Sequence, residues 1–249
     1  MKKQYLSKID KEIRKKKEEG DYMSLWMGTY VLVIIMFILA LIAQIRVKSV
    51  YKRYDRVVSS RGITAEQAVQ KVFDYYGVDN VSIVPIAGQL TDNFNPRTMQ
   101  ISLSESVYGK SSIAAIGVAC HEAGHAAQYA NGYVPIKIRN AFVPICNFGS
   151  AFALPIAILG LILNAANMVS IGIILYSFIA LFQFLTLPVE LNASKRAMKV
   201  ITETGLMDEK EASGARHVLI AAAMTYVVAL ATALADLLRF IVIFAGRRD

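Results

Sequence analysis

His121 and His125 stand four residues apart in the run Cys120-His121-Glu122-Ala123-Gly124-His125, and Glu122 follows the first of them. On an α-helix, residues at i and i+4 share a face, so both imidazoles can grip one divalent ion. Glu122 then lies beside the ion, where a carboxylate can take a proton from a water that the metal activates. The H-E-x-x-H pattern is that of the zinc site of a metallopeptidase. The chain has three histidines in 249 residues, which makes the pairing more telling than a short motif usually is.

A catalytic zinc takes three protein ligands and leaves a fourth position to water. Glu190, in Leu187-Pro188-Val189-Glu190-Leu191-Asn192-Ala193-Ser194, is the leading third ligand. It lies just past an apolar span, where an acidic side chain is costly unless it has a task. His217 is the alternative, as a ligand or as a donor to the developing oxyanion. Arg196 and Tyr226 are the other oxyanion candidates, and the sequence does not choose among the three.

The elements that must position these residues belong to a membrane protein. Hydrophobic residues make up 55% of the chain and charged ones 18%, with a mean hydropathy of +0.43. The net charge is +8. Its basic residues cluster beside apolar spans instead of interleaving with aromatics, which fits an anionic lipid surface and not nucleic acid. Cys120 and Cys146 form no disulfide framework and do not fix the redox compartment.

Residues 1–22 form a basic tail in which Tyr5, Ile9 and Ile13 are spaced like one helical face, suited either to lipid headgroups or to solvent. Apolar spans are expected at about 24–43, 141–163, 167–187 and 217–245. The first has too long an apolar core for a signal peptide and is expected to stay as an anchor. A basic flank (44–61) follows it. Thr64 with Gln67 predicts a capping box that opens a helix to Tyr76, with Gly77 as its stop. Val81–Ile86 and Met99–Ser104 are expected strands, separated by a turn at Asn95-Pro96-Arg97-Thr98. Met99, Gln100, Ile101 and Ser102 are the candidate strand to which an extended substrate would add. The metal helix is expected over Ser111–Ala130. In the last span, Asp236 and Arg239 are three apart and expected to pair.

The expected architecture is therefore mainly α: a polytopic membrane protein of about four transmembrane helices with a small α+β zincin-like catalytic subdomain at the membrane face. Past the tail, residues 23–249 form the membrane-embedded domain, with its catalytic part at about 62–140 and 189–216. Topology gives an independent check on Glu190. The hairpin of spans two and three crosses the bilayer twice, so Glu190 returns to the side that carries His121 and His125.

The chain resembles the YugP-type family of bacterial membrane-embedded neutral zinc metallopeptidases. The residues that carry the resemblance are Thr91-Asp92-Asn93-Phe94-Asn95-Pro96-Arg97-Thr98, the stretch from Ser112 to His125, Pro188-Val189-Glu190 with Ala193-Ser194-Lys195-Arg196-Ala197, and Ala222-Ala223-Met224-Thr225-Tyr226-Val227. The resemblance implies zinc held by His121, His125 and Glu190, with Glu122 as the catalytic base. More distantly the chain is similar to the HtpX-type membrane proteases, whose glutamate ligand is followed four residues later by aspartate. Here that position is Ser194, so the group that steadies a metal histidine is missing or supplied differently, with Asn192 a candidate. Asn93, Asn95 and the long basic tail are further departures from the group.

The expected function is zinc-dependent endoproteolysis of membrane or membrane-proximal polypeptides in a bacterial cell membrane. The alternative is a proteolytically silent adaptor or assembly factor that keeps the zinc fold. The expected partners are a polypeptide substrate and the lipid bilayer, with a homo-oligomer or a membrane-protein partner left open. Thirteen Lys and Arg residues flank the spans on the site's side and ten on the other, which favours a cytoplasmic-facing site.

Overall fold

Helices dominate because long apolar runs can satisfy their own backbone hydrogen bonds only by coiling. A computed structural model describes residues 2–163 and 165–245, as six helices and three short strands. In order these are α1 (Lys2–Asp55), α2 (Ala65–Tyr76), β1 (Ser82–Ile86), β2 (Asn93–Asn95), β3 (Gln100–Ser104), α3 (Ile113–Ala130), α4 (Val134–Ile162), α5 (Ala166–Glu203) and α6 (Glu209–Ala245). Four of them are long and apolar enough to cross a membrane: 20–55 of α1, 134–160 of α4, and α5 and α6 whole. Each leaves large apolar side chains exposed, among them Phe37, Phe152, Ile174 and Leu234, as a lipid-facing helix does.

The four spans were expected, but their helices run further than the apolar residues do. α1 continues through the basic flank to Asp55, since Lys, Arg and Glu are good helix formers. α5 passes through Pro188 without ending, so Glu190 lies inside a helix and not in the flank after a span. The face expected of Tyr5, Ile9 and Ile13 lies outside the described side chains, and two of the ten basic residues counted opposite the site, Arg247 and Arg248, lie outside the described residues.

By contact the chain divides into two compact units. One comprises Met1–Leu39, Ile145–Leu181 and Ala231–Asp249. Within it the expected pair forms, with Arg239 3.1 Å from Asp236. Tyr176 donates its hydroxyl to the other Asp236 oxygen at 3.1 Å. Both carboxylate oxygens are thus partnered, as an ionisable group on an apolar helix requires.

The second unit comprises Ala40–Pro144 and Phe182–Leu230 and contains all the candidate site residues. Its core joins Val69, Val72 and Phe73 of α2 to Ile101 and Leu103 of β3, Ile116 and Cys120 of α3, and Val200 and Ile201 of α5. α2 opens on the expected capping box of Thr64 and Gln67 and closes on Gly77 at φ +62°, a left-handed conformation that glycine adopts without strain.

The sheet order is β1-β3-β2. β1 and β3 were expected; β2 was not, because three residues are too few to show an alternating pattern, and the expected turn follows it at 96–99. β3 pairs in parallel with β1 and antiparallel with β2. This corrects the expectation for a substrate strand. Gln100, Ile101 and Ser102 are paired on both sides, and Met99 is a turn residue at φ +50°. A central strand has no free edge to offer.

The start of α6 is secured by Glu211. Its backbone N–H donates to Asp208 at 2.8 Å, while its carboxylate accepts from the Asp208 N–H at 3.1 Å, a reciprocal cap. The same carboxylate accepts from the Ser60 N–H at 2.5 Å and the Ser59 hydroxyl at 3.4 Å. Glu211→Ala should lower stability by about 1–3 kcal/mol through these stranded donors, with Glu211→Gln closer to the wild type; chemical denaturation in detergent measures both.

Candidate metal centre

The site is built where α3 and α5 come closest. Ser112 caps α3, accepting from the Ala115 N–H at 3.2 Å, and the helix is rich in Ala and Gly, so its backbone can approach a neighbour. At Gly124 it does: a Cβ there would lie 2.6 Å from the Ala193 carbonyl oxygen of α5. Only glycine permits that contact. It sets Glu190, three residues before Ala193, against the histidine face of α3.

Glu190 Oε2 lies 3.3 Å from His121 Nε2 and 3.5 Å from His125 Nε2. His121, His125 and Glu190 each offer a donor atom within 4.8 Å of the others, the group of three suited to a metal ion among the described residues. A tetrahedral zinc with bonds of about 2.0–2.1 Å separates its ligand atoms by about 3.3 Å. The two imidazole–carboxylate distances match that edge, and the donor set is one zinc accepts, so these residues fit the ion.

The remaining nitrogen of each ring is occupied. His121 Nδ1 is 3.1 Å from the Ser194 hydroxyl. His125 Nδ1 is 3.0 Å from Gln128 Oε1. Gln128 is fully buried and donates from Nε2 to the Val189 carbonyl at 2.8 Å and to Asn192 Oδ1 at 3.0 Å. Asn192 therefore reaches the ligands only through Gln128, and the expectation that it steadies a histidine directly is corrected.

Glu122 is buried beside the two histidines. Burial raises its carboxyl above the ordinary range, and the imidazoles of His121 and His125 only partly offset this. Burial alone would lower His125, but the hydrogen bond and charge of Glu190 outweigh it and leave the imidazole raised. A cavity of about 280 Å³ exposes His121, Glu122 and Glu190 together with Tyr226 and Asp92. A second, of about 150 Å³, adjoins His125, Arg139, Asn140 and the β2 residues Asn93 and Phe94.

Of the three oxyanion candidates, Tyr226 lines both cavities, with its hydroxyl against Glu190. Arg196 lines neither. Its guanidinium binds Asn192 at 3.0 Å and Asn131 at 3.0 Å and packs over the Tyr76 ring at 5.1 Å. His217 is also elsewhere: exposed, bonded to the Ser213 carbonyl at 2.7 Å and stacked on Tyr54. It lies in the third turn of α6, outside the group of three and lining neither cavity.

Three residues of the site have no counterpart in the sequence reading. Gln128 was visible as the i+3 neighbour of His125. Asp92 lines both cavities and accepts from the Ser104 N–H at 2.7 Å and hydroxyl at 2.9 Å; burial raises its carboxyl against the pull of those bonds. Arg139 reaches the smaller cavity with its Nε buried and without a hydrogen-bond partner. In sequence it looks like a cation at the edge of a span, and nothing marks it further.

The family model described as "Putative neutral zinc metallopeptidase" matches residues 29–245. The chain is 41% identical over 207 residues to "Putative membrane protease YugP" of Bacillus subtilis (strain 168), an alignment that spans 83% of this chain and 92% of that protein. No solved structure matches it.

Two outcomes test the packing. Gly124→Ala should destabilise by about 1–3 kcal/mol through overpacking, outweighing the roughly 1 kcal/mol by which alanine is the better helix former, and should weaken zinc binding; melting and chelator competition measure the two effects. The Cys120 thiol, fully buried and pushed up to about 12, should resist iodoacetamide at pH 8 until the protein is unfolded, as mass spectrometry would show.

Proposed function

The chain belongs to the neutral zinc metallopeptidase family, and from that premise we propose that it is a membrane endopeptidase in which His121, His125 and Glu190 hold zinc and Glu122 is the general base. The observation that carries this reading is the convergence of both imidazole Nε2 atoms on one oxygen of Glu190, while each Nδ1 is engaged elsewhere. A zinc ion held there would supply Lewis acidity, acidifying a bound water toward a pKa of ~7 and polarising the scissile carbonyl.

The rest of the work falls to the chain's own side chains. Glu122 accepts the proton of the attacking water and later delivers it to the leaving amine. Its burial favours the neutral form, which suits a group that must hold that proton between the two transfers. Tyr226 presents a hydroxyl donor to the cavity and is our assignment for the group that meets the developing oxyanion. The scissile segment is proposed to lie along the outer edge of β2, which no other described strand pairs and whose Asn93 and Phe94 adjoin the ligands. Main-chain hydrogen bonding to such an edge holds a substrate extended.

The substrate class proposed is membrane or membrane-proximal polypeptide, supported by the four apolar helices and by the printed name of the relative. The excess of positive charge flanking the spans on the site's side supports a cytoplasmic-facing site.

Glu122→Gln should keep zinc, measured by mass spectrometry of metal content, and lose about 10²–10⁴-fold in cleavage of fluorogenic casein in detergent. Chelation should abolish the wild-type cleavage and added zinc restore it; equal cleavage by Glu122→Gln would sink the assignment. For orientation, a cysteine introduced at the exposed Lys110 should be shielded from an impermeant maleimide in intact cells and labelled in inverted vesicles.

A further inference from the structure

We propose that Arg196 is a positioning residue: acting through Asn192 and Gln128, it keeps a proton on His125 Nδ1 and so commits Nε2 of that ring to the metal. The metal half of this statement rests on the function proposed above; the protonation half does not. The inference follows from the direction of four hydrogen bonds. A guanidinium can only donate, so the Arg196 Nε–H at 3.0 Å requires Asn192 to present Oδ1. That same oxygen lies 3.0 Å from Gln128 Nε2, and the Val189 carbonyl, which can only accept, lies 2.8 Å from it.

Two acceptors fix the Gln128 amide with its NH₂ toward α5. Turning it over would set its oxygen against two other oxygens in a fully buried place, where unmatched polar groups are most costly. Gln128 Oε1 is therefore left facing His125 Nδ1 at 3.0 Å. An amide oxygen accepts and does not donate, so Nδ1 must carry the hydrogen. The sense of the series is set at two points, by the Val189 carbonyl, which has no donor form, and at its outer end by the guanidinium, which has no acceptor form and holds Asn192 to the same sense.

His121 provides the contrast. Its Nδ1 meets the Ser194 hydroxyl at 3.1 Å, which can turn to donate or accept, so that contact does not dictate whether Nδ1 carries a proton. One metal histidine is thus pre-set and the other adaptable. Arg196 is itself held by Asn131 at the end of α3 and by the Tyr76 and Tyr133 rings, which links the protonation pattern of His125 to the docking of α5 on that end of α3.

The test has two independent readouts on the full chain in detergent micelles. In chelator-treated protein labelled with ¹⁵N-histidine, three side chains are to be assigned, using His217→Gln. His125 should show a protonated Nδ1, and Arg196→Met should raise the fraction in which Nδ1 is bare. A bare Nδ1 in the wild type overturns the proposal whether or not the protein binds zinc. In zinc competition against a chromophoric chelator, Gln128→Met should weaken binding 10–100-fold, and Arg196→Met by a smaller factor.

A purely structural role for Arg196 would give the same loss in any background. In Asn192→Leu the link from Arg196 to Gln128 is already cut, so adding Arg196→Met should no longer change zinc affinity; an undiminished effect there overturns the proposal. Asn192→Asp is the second variant. That variant keeps the acceptor between Arg196 and Gln128 and should retain wild-type affinity, and a loss equal to that of Asn192→Leu counts against the relay. Failure of the wild type to bind zinc at all would sink the proposed function and leave the nitrogen-15 result standing.

Discussion

A carboxylate with 3% of its surface exposed, facing two imidazoles, is the constraint on which the structure of the second unit depends. Placing Glu190 there takes a charge out of water, which is costly unless partners compensate. The compensation comes from α3, and it is available only because the α3 backbone can come against α5 at Gly124. The alanines and glycines of α3 are the condition for that approach, since any larger side chain would hold the carboxylate away from the rings.

Around this contact the polar groups are arranged so that none of the ligand nitrogens is left to itself. Ser194 and Gln128 engage the far side of each ring, and Gln128 is satisfied in turn by Val189 and Asn192. Buried polar networks are stable when every member has its partner and damaging when one does not. Among the described residues, Arg139 Nε beside the smaller cavity and Thr186 Oγ1 on α5 are buried without a partner.

Apolar and chemical tasks are carried by the same helices. α5 is apolar enough to cross a bilayer, yet holds Glu190, Ser194 and Arg196 within one continuous helix. α6 carries both Tyr226 and an apolar run, and starts from a cap tied to Ser59 and Ser60. Helix formers such as Lys, Arg and Glu extend these elements past their apolar parts, which is why hydropathy marks the spans well and their ends poorly.

Sequence alone determined whatever a local pattern can encode. The i, i+4 histidine pair with Glu122, the four apolar runs, the Thr64–Gln67 cap, the Gly77 stop and the Asp236–Arg239 pair are relations within a few residues, set by helix geometry and side-chain chemistry. Counting crossings put Glu190 on the side of the histidine pair, and the structure sets the three side chains together. Tertiary structure alone decided what depends on which elements touch: that β3 lies between its neighbours and has no edge to offer, that Arg196 faces Asn192 and Asn131 while Tyr226 lines the cavities, that His217 stands apart, and that Ser194 and Gln128 back the ligands. Those are contacts between residues tens of positions apart. No spacing along the chain reports them, because they are fixed by how closely two backbones can pack and by which buried polar atoms must then find one another.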